Sequence, residues 1–493
     1  MTATTIQAGK SLTKPEGRKL AAMVAASIGA TAGGAAFLAL SAGPAEALPA
    51  FARQTGQPCA SCHTALPELT PFGRRFKIGG YSLQGGDWQG PPLAGFYQGG
   101  FTNTKAAQDV PPAPGLHTNN NITSQQASVF IAGHLIGNVG SFIQFTGDPV
   151  WGTFGLDSSD IRYTDTSKLF GQDMIWGIDV NNSPTVEDPW NTTPQFGWPQ
   201  ISSTIAPAFG PPLTRIEGGY ATNVGGAGVY GFWDDMLYGA LIAYKGLSIS
   251  QLYAINAPNT QVLGGPATSD AVTNVAPYWR LALEPHWGQH YLMVGTFGMY
   301  GQIAPGRQYG IGTDNYLDVG FDSQYQYDGD QYIVTVKLTD IMEWQKLNAS
   351  YFEQHASNLS NTLNSFKANA TFVWDHTYSL AFGYFNVAGS GDCYLYGSGN
   401  NKNCTPIEIN SYNNSYISSP NGNGLILDLA YIPFAHGAPG PYDYKTWNAR
   451  IGLQFTSYLH LYGGTNNFDG SFLGGTHNAS GNNSVFAYAW VVF

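Results

Sequence analysis

The stretch NYLDVGFDSQYQYDGDQYIVTVKLTD, residues 315–340, alternates apolar and polar side chains on both sides of an Asp328-Gly329 turn signal. Its apolar positions are Leu317, Val319, Phe321, Tyr325 and Tyr327 before the turn, and Tyr332, Val334, Val336 and Leu338 after it. Alternation with a period of two around a short turn predicts an antiparallel β-hairpin with one apolar face and one polar face.

The same alternation recurs from about Leu93 to Phe493, for example in FKANATFVW (366–374) and WNARIGLQFT (447–456). Either a soluble sandwich or a transmembrane barrel produces this pattern. Strands of about 10 residues are long enough to cross a bilayer at a tilt, and Tyr and Trp at strand ends are typical of membrane interfaces. We therefore predict an all-β, antiparallel transmembrane barrel of about 16 strands, with fourteen or eighteen as alternatives.

Composition supports a barrel in lipid. Charged residues make up 11% of the chain and aromatic residues 14%, whereas soluble domains carry about 25% charged residues. The formal net charge of -11 argues against nucleic acid as a partner. Outer-membrane lipid is the expected surroundings of the barrel.

The amino terminus has the pattern of an export signal. Basic residues are followed by an apolar run from Ala21 to Gly43 and by Ala45-Glu46-Ala47, which resembles a signal-peptidase site. We predict a cleaved signal peptide over 1–47, with an uncleaved membrane anchor as the alternative. Export is expected to place the protein in the bacterial outer membrane.

Cys59-Ala60-Ser61-Cys62-His63 has the C-x-x-C-H spacing of a c-type haem site. In such a site both thiols form thioethers and the histidine is an axial iron ligand. A redox disulfide and half of a zinc site are the alternatives, but zinc needs further Cys or His at zinc spacing and none follows. We predict one covalent haem c held by Cys59, Cys62 and His63.

The predicted domains are the signal peptide, a monohaem cytochrome c segment over 48–90, and a porin-like barrel over 91–493. A segment of about 40 residues rarely folds alone, so we expect it to plug the barrel lumen, which would complete the haem pocket. Leu66, Leu69, Phe72 and Phe76 recur at spacings of three and four and predict an apolar stripe on one face of a helix. Gly79-Gly80 is expected to end that helix. The basic residues Arg74, Arg75 and Lys77 either pair with haem propionates or stay solvated.

Cys393 and Cys404 bracket the polar stretch YLYGSGNNKN. In an oxidising compartment they are expected to close it as a disulfide.

Residues 49–83, PAFARQTGQPCASCHTALPELTPFGRRFKIGGYSL, followed by a barrel pattern, resemble the fused cytochrome-porins of the outer membrane, a family that includes iron-oxidising monohaem cytochromes. Residues 181–199, NNSPTVEDPWNTTPQFGWP, also resemble the barrel of that family. The resemblance implies electron transfer from extracellular Fe(II) through one haem to a periplasmic carrier, either a small c-type cytochrome or a blue-copper protein.

Two other functions remain open at the level of sequence. One is a cytochrome-porin with a different extracellular electron donor, and the other is a haem-plugged diffusion porin. Glu187 and Asp188 either attract Fe(II) near the barrel mouth or are plain loop charges.

The sixth ligand of the haem iron is predicted from the face of each strand on which the candidate residues lie. Met174 shares a face with Trp176 and is expected to meet lipid, whereas His134 shares the face of Ser128 and is expected to point into the lumen. We select His134 and therefore bis-histidine ligation. The alternatives are His117, the more distant Met293 or His290, and water or an open site.

Overall fold

The computed structural model describes residues 48–86, 90–207, 210–257, 266–396, 419–436, 447–466 and 478–493. The predicted signal peptide over 1–47 and Cys404 lie outside the described residues. In the part of the chain that is described, no helix has both the length and the apolar character needed to cross a membrane.

Sixteen long strands, all paired antiparallel to their neighbours, form one closed sheet within the described residues. In chain order, β1 to β16 are Leu93–Thr104, Asn121–Ile136, Val139–Asp148, Thr153–Leu169, Gln172–Asn181, Val224–Trp233, Leu237–Gly246, Val275–Leu283, His290–Ala304, Asp314–Asp328, Tyr332–Lys346, Ser360–Trp374, Tyr378–Gly389, Gly422–Tyr431, Asn448–His460 and Ser484–Val492. The predicted antiparallel barrel and its strand number are confirmed.

The hairpin of β10 and β11 shows why the alternation predicts a barrel in lipid. On β10 the side chain of Phe321 is 62% exposed, while Asp318 and Gln326 on the opposite face are buried. On β11 Leu338 faces outward, while Lys337 is buried on the lumen side. The apolar face therefore points away from the barrel and the polar face lines the lumen, as in outer-membrane barrels. This architecture places the protein in an outer membrane.

The barrel closes where β1 pairs with β16, from Phe96 opposite Val492 to Thr104 opposite Ser484. Just beyond this ladder, the backbone N–H of Phe493 donates to the carbonyl of Gly95 at 3.0 Å. A Cβ on Gly95 would lie 2.3 Å from the Phe493 ring, so only glycine leaves room for that ring. We call this junction the β1–β16 seam.

The two ends of the barrel differ in the length of their connections. At the end where β1 begins, several turns are short, as at 137–138, 170–171 and 375–377. At the opposite end the connections include 105–120 and 182–223. Outer-membrane barrels have short periplasmic turns and longer extracellular loops. The short-turn end is therefore periplasmic.

Within residues 48–86, three short helices precede the barrel: α1 (Pro49–Thr55), α2 (Cys59–Cys62) and α3 (Pro71–Ile78). Thr70 caps α3, because its hydroxyl accepts a hydrogen bond from the N–H of Gly73 at 3.1 Å. Gly79 ends the helix as predicted. The prediction that Leu66 and Leu69 share this helix is wrong, because the Thr70 cap and the following proline start it later.

Two segments fill the lumen between the barrel walls. Residues 48–86, the N-terminal segment, enter at the short-turn end, where Gln54 accepts the His134 N–H at 2.7 Å. Residues 182–223, the inner loop, fold in from the other end, and the hydroxyl of Ser203 lies 2.8 Å from that of Thr102 on β1. The two segments meet where the Lys77 ammonium donates to the Asp188 carbonyl at 2.7 Å.

Candidate functional site at the short-turn end

The two cysteines of the C-x-x-C-H motif begin and end the single turn of α2, and both are buried. The backbone N–H of His63 donates to the Cys59 carbonyl at 2.9 Å, which places the histidine directly after that turn. A Cβ on Gly73 would lie 2.2 Å from the Cys62 carbonyl oxygen, so α3 packs this closely on the motif only with glycine at that position. The local fold thus holds both sulfur atoms and the imidazole on one short stretch of chain.

His63 is oriented like a metal-ligating histidine. Its Nδ1 lies 3.2 Å from the Pro67 carbonyl oxygen, and a ligating histidine usually donates its other ring N–H to such an acceptor. This leaves Nε2 for a ligand. Desolvation by the surrounding protein lowers the pKa of His63 to about 4, so the ring is neutral, as ligation requires. On these observations the motif residues fit a covalent haem.

Two barrel connections hold the motif from outside. The ring Nδ1 of His376, in the 375–377 turn, lies 3.0 Å from the His63 carbonyl oxygen and 3.1 Å from that of Thr64. The N–H of Ala60 donates to the Ala435 carbonyl at 3.1 Å. The rings of His376 and His436 meet edge to face, with centroids 5.7 Å apart.

Sequence reasoning missed His376 and His436. One signal was available, because His376 falls in the short turn WDHTY between two predicted strands. A barrel of the predicted topology puts such turns at the same end as the N-terminal segment. Which of these turns contacts the motif depends on how the segment docks, and local sequence carries no information on that.

The basic residues of α3 bind the barrel wall and the inner loop. Arg74 is buried and pairs with Glu284 at 3.0 Å, and it also donates to the Gln326 side chain at 2.6 Å. Arg75 pairs with Asp235 at the surface. Lys77 contacts the inner loop, and burial together with the nearby Arg162 lowers its pKa to about 8. The structure therefore gives each of these three cations a protein partner, with Arg75 still half exposed to solvent. Their pairing with haem propionates stays a prediction.

Glu187 and Asp188 lie inside the barrel. Both carboxylates are buried, at 0% and 1% exposure. Asp188 pairs with Arg280 at 3.1 Å, and Glu187 accepts a hydrogen bond from the Tyr278 hydroxyl at 2.6 Å. Both predicted roles, attracting Fe(II) at the mouth and plain loop charge, are wrong for these residues, because buried counter-charges draw them into the lumen.

The candidate sixth ligands fall in different parts of the barrel. Met174 lies on the outward face of β5, as predicted. His117 lies in a connection at the long-connection end, opposite His63. His134 lies at the short-turn end, with its Nε2 2.8 Å from the Gly137 carbonyl. His290 stacks on Trp287 at the barrel surface.

Met293 is the remaining candidate, and it is buried in a cluster with Ile78 of α3. The cluster connects this methionine of β9 with the N-terminal segment. The assignment of His134 as the sixth ligand stays a prediction.

Cys393 begins the short helix Cys393–Tyr396 and is disulfide-bonded. The partner that the spacing predicts, Cys404, lies outside the described residues.

The sequence matches no protein-family profile and no curated protein. Among solved structures, similar folds include the outer-membrane channel DcaP of Acinetobacter baumannii, with 12% identity, coverage of 81% of this chain and 96% of that chain, and a TM-score of 0.40. OmpF of Salmonella typhi in complex with daunomycin gives 10% identity, coverage of 81% and 97%, and a TM-score of 0.42. At these values the likeness concerns the barrel fold alone.

Proposed function

We propose that this protein is an outer-membrane electron-transfer cytochrome that oxidises extracellular Fe(II) and passes electrons through one haem c to a periplasmic carrier. The observation that carries this proposal is the pairing of His63 Nδ1 with the Pro67 carbonyl beside two buried cysteines, at the periplasmic end of a filled barrel. A covalent haem at Cys59 and Cys62 would supply a one-electron redox centre. Each Fe(II) would give up one electron and leave as Fe(III).

The chain's own residues have three roles in this proposal. Cys59 and Cys62 hold the group at the short-turn end, and His63 supplies a neutral imidazole whose orientation Pro67 fixes. The His376 and Ala435 connections lie beside the motif on the periplasmic side, where a carrier has access.

A second candidate function is a diffusion porin, and the porin-like barrel architecture favours it. The filled lumen distinguishes the two functions. Buried side chains from the wall and the inner loop, among them Arg162, Arg280 and Glu187, form a hydrogen-bonded layer across the barrel interior. A diffusion porin needs a continuous aqueous path, so these buried contacts support the electron-transfer proposal, and a conductance measurement separates the two functions.

Two measurements on haem-loaded protein test the proposal. In planar bilayers we expect conductance far below that of an open porin, and free conductance would favour the diffusion function. In anaerobic stopped-flow mixing with Fe(II), we expect the reduced haem bands to appear within seconds. A His63→Ala variant is the control and should not give them. Reduction by another donor but not by Fe(II) would show that the iron assignment is wrong.

A further inference from the structure

Two carboxylates face each other on the lumen wall near the long-connection end. Asp318 of β10 and Glu343 of β11 are directly opposite in the strand register. Both are buried, at 0% and 1% exposure. Cross-strand partners of this kind have Cβ atoms about 5 Å apart. The two negative charges therefore share one small volume of the lumen.

The cation that interacts with both carboxylates, Arg215, is already paired with another carboxylate. The Arg215 guanidinium pairs with Asp270 at 2.9 Å, and Lys367 pairs with Glu217 at 2.8 Å. Glu343 accepts hydrogen bonds from neutral donors, the Gln345 amide at 2.6 Å and the Arg215 backbone N–H. Apart from a contact with Glu343 itself, neither oxygen of Asp318 has a hydrogen-bond partner among the described residues. The Asp318–Glu343 pair is thus left without a full counter-charge.

A third oxygen lies beside the pair. Tyr220 is 1% exposed, and its hydroxyl has no hydrogen-bond partner among the described residues. The hydroxyl lies over the wall at Gly301, where a Cβ would come within 2.5 Å of it. Gly301 is opposite Tyr316, two residues before Asp318 on β10, and the Tyr220 and Asp318 side chains interact electrostatically. The unpartnered hydroxyl therefore lies beside the carboxylate pair, on the lumen side of the wall.

We propose that Asp318, Glu343 and Tyr220 form a binding site for a hard divalent cation. Burying two carboxylates without compensating charge is strongly unfavourable, and oxygen-only donors suit Ca²⁺, Mg²⁺ or Mn²⁺. In the described parts of the chain, no three His, Cys, Asp or Glu side chains are grouped to hold a metal ion. The proposed site has only two carboxylates and a phenol as protein ligands. The remaining ligand positions of the cation are open to water. It is separate from the haem motif and does not depend on the proposed electron transfer.

Mn²⁺ is the probe for this site. Protein extracted from outer membranes is dialysed against Mn²⁺ and then against metal-free buffer, and retained manganese is measured by mass spectrometry. We expect one Mn²⁺ per chain in the wild type and at least a tenfold loss in Asp318→Asn. The matched control is Asp322→Asn, on the same face of β10, where the carboxylate is already paired with Arg280 at 2.6 Å. This control should retain the Mn²⁺.

A second variant keeps the test decisive if Asp318→Asn fails to fold. Tyr220→Phe leaves both carboxylates in place and should weaken Mn²⁺ retention severalfold. Equal manganese in the wild type and the folded variants, or none in the wild type, overturns the proposal. In that case the competing occupant, one proton shared between the carboxyl groups, is expected to give an infrared carboxylic-acid band that Asp318→Asn abolishes.

Discussion

The two segments that fill the lumen are held differently from the C-x-x-C-H turn. The N-terminal segment forms ion pairs with the barrel through Arg74, which pairs with Glu284, and through Glu68, which pairs with Lys337 at 3.7 Å. The inner loop also forms ion pairs of both signs, because its Asp188 pairs with Arg280 and its Arg215 pairs with Asp270. The C-x-x-C-H turn is held by neither kind of ion pair, because its contacts with His376 and Ala435 go through backbone groups. Charge therefore positions the two segments, whereas neutral hydrogen bonds position the motif.

Of the three substitutions considered, Arg74→Met should lower the stability of the protein most. It removes one partner of a buried ion pair and leaves Glu284 without its cation, which typically costs about 3–5 kcal/mol. Arg75→Met is the matched control, because the Arg75–Asp235 pair is half exposed and such pairs contribute about 0–1 kcal/mol. Thermal unfolding in detergent, together with proteolysis of residues 48–86, measures both effects. Equal losses in the two variants would contradict the role of charge in seating the segment.

Glu187→Gln tests the inner loop through its pH dependence. Burial raises the pKa of Glu187 to about 7 from an ordinary 4.5, so the folded protein binds this proton more tightly than the unfolded chain does. The contribution of Glu187 to stability is therefore full below about pH 4.5 and is lost as the pH rises through about 7.

The Gln side chain stays neutral at every pH and keeps an acceptor for the Tyr278 hydroxyl. We expect the variant to be more stable than the wild type by about 1–3 kcal/mol at pH 8. Near pH 4.5 the two should be alike. Unfolding midpoints measured at both pH values check this, and a difference independent of pH would show that folding does not raise the pKa of Glu187.

His376→Ala should give the smallest change in stability, because a neutral hydrogen bond contributes about 1 kcal/mol. It should, however, shift the midpoint potential of the haem-loaded protein, since the backbone that carries the axial ligand loses its donor. His376→Gln retains a donor and is expected to restore the potential in part. His436→Ala, which removes the neighbouring ring but no bond to the motif, is the control. Unchanged potential in His376→Ala would mean that the turn only packs against the motif.

The barrel wall was accessible from sequence, whereas much of the lumen was not. Alternation in residues 315–340 depends on neighbours in the chain, so it predicts which side of each strand meets lipid. The burial of Glu187 depends on Tyr278 and that of Asp188 on Arg280, and both partners are about 90 residues away along the chain. A charged, proline-containing segment such as 182–199 has the composition of an exposed loop, and only its distant counter-charges place it inside.

The haem motif also has one feature that local sequence predicts and one contact that it does not. The spacing of Cys59, Cys62 and His63 is local and predicts their shared location, which α2 confirms. The apolar repeat that begins at Leu66 predicts a start for α3 that is too early. The helix begins at Pro71, because Thr70 caps it there. The contact with His376 joins residues more than 300 positions apart. No local pattern encodes such a contact.

The β1–β16 seam also bears on the order of assembly. Its two strands are separated by nearly the whole barrel in sequence, so loop closure makes this pairing among the slowest to form. Trp490 of β16 packs against the clusters that contain Ala50 and Leu66 of the N-terminal segment, and these contacts cannot form until β16 is in place. Docking of the N-terminal segment and closure of the barrel are therefore coupled late steps of biogenesis, and a group bound covalently at Cys59 and Cys62 would have to be attached before them.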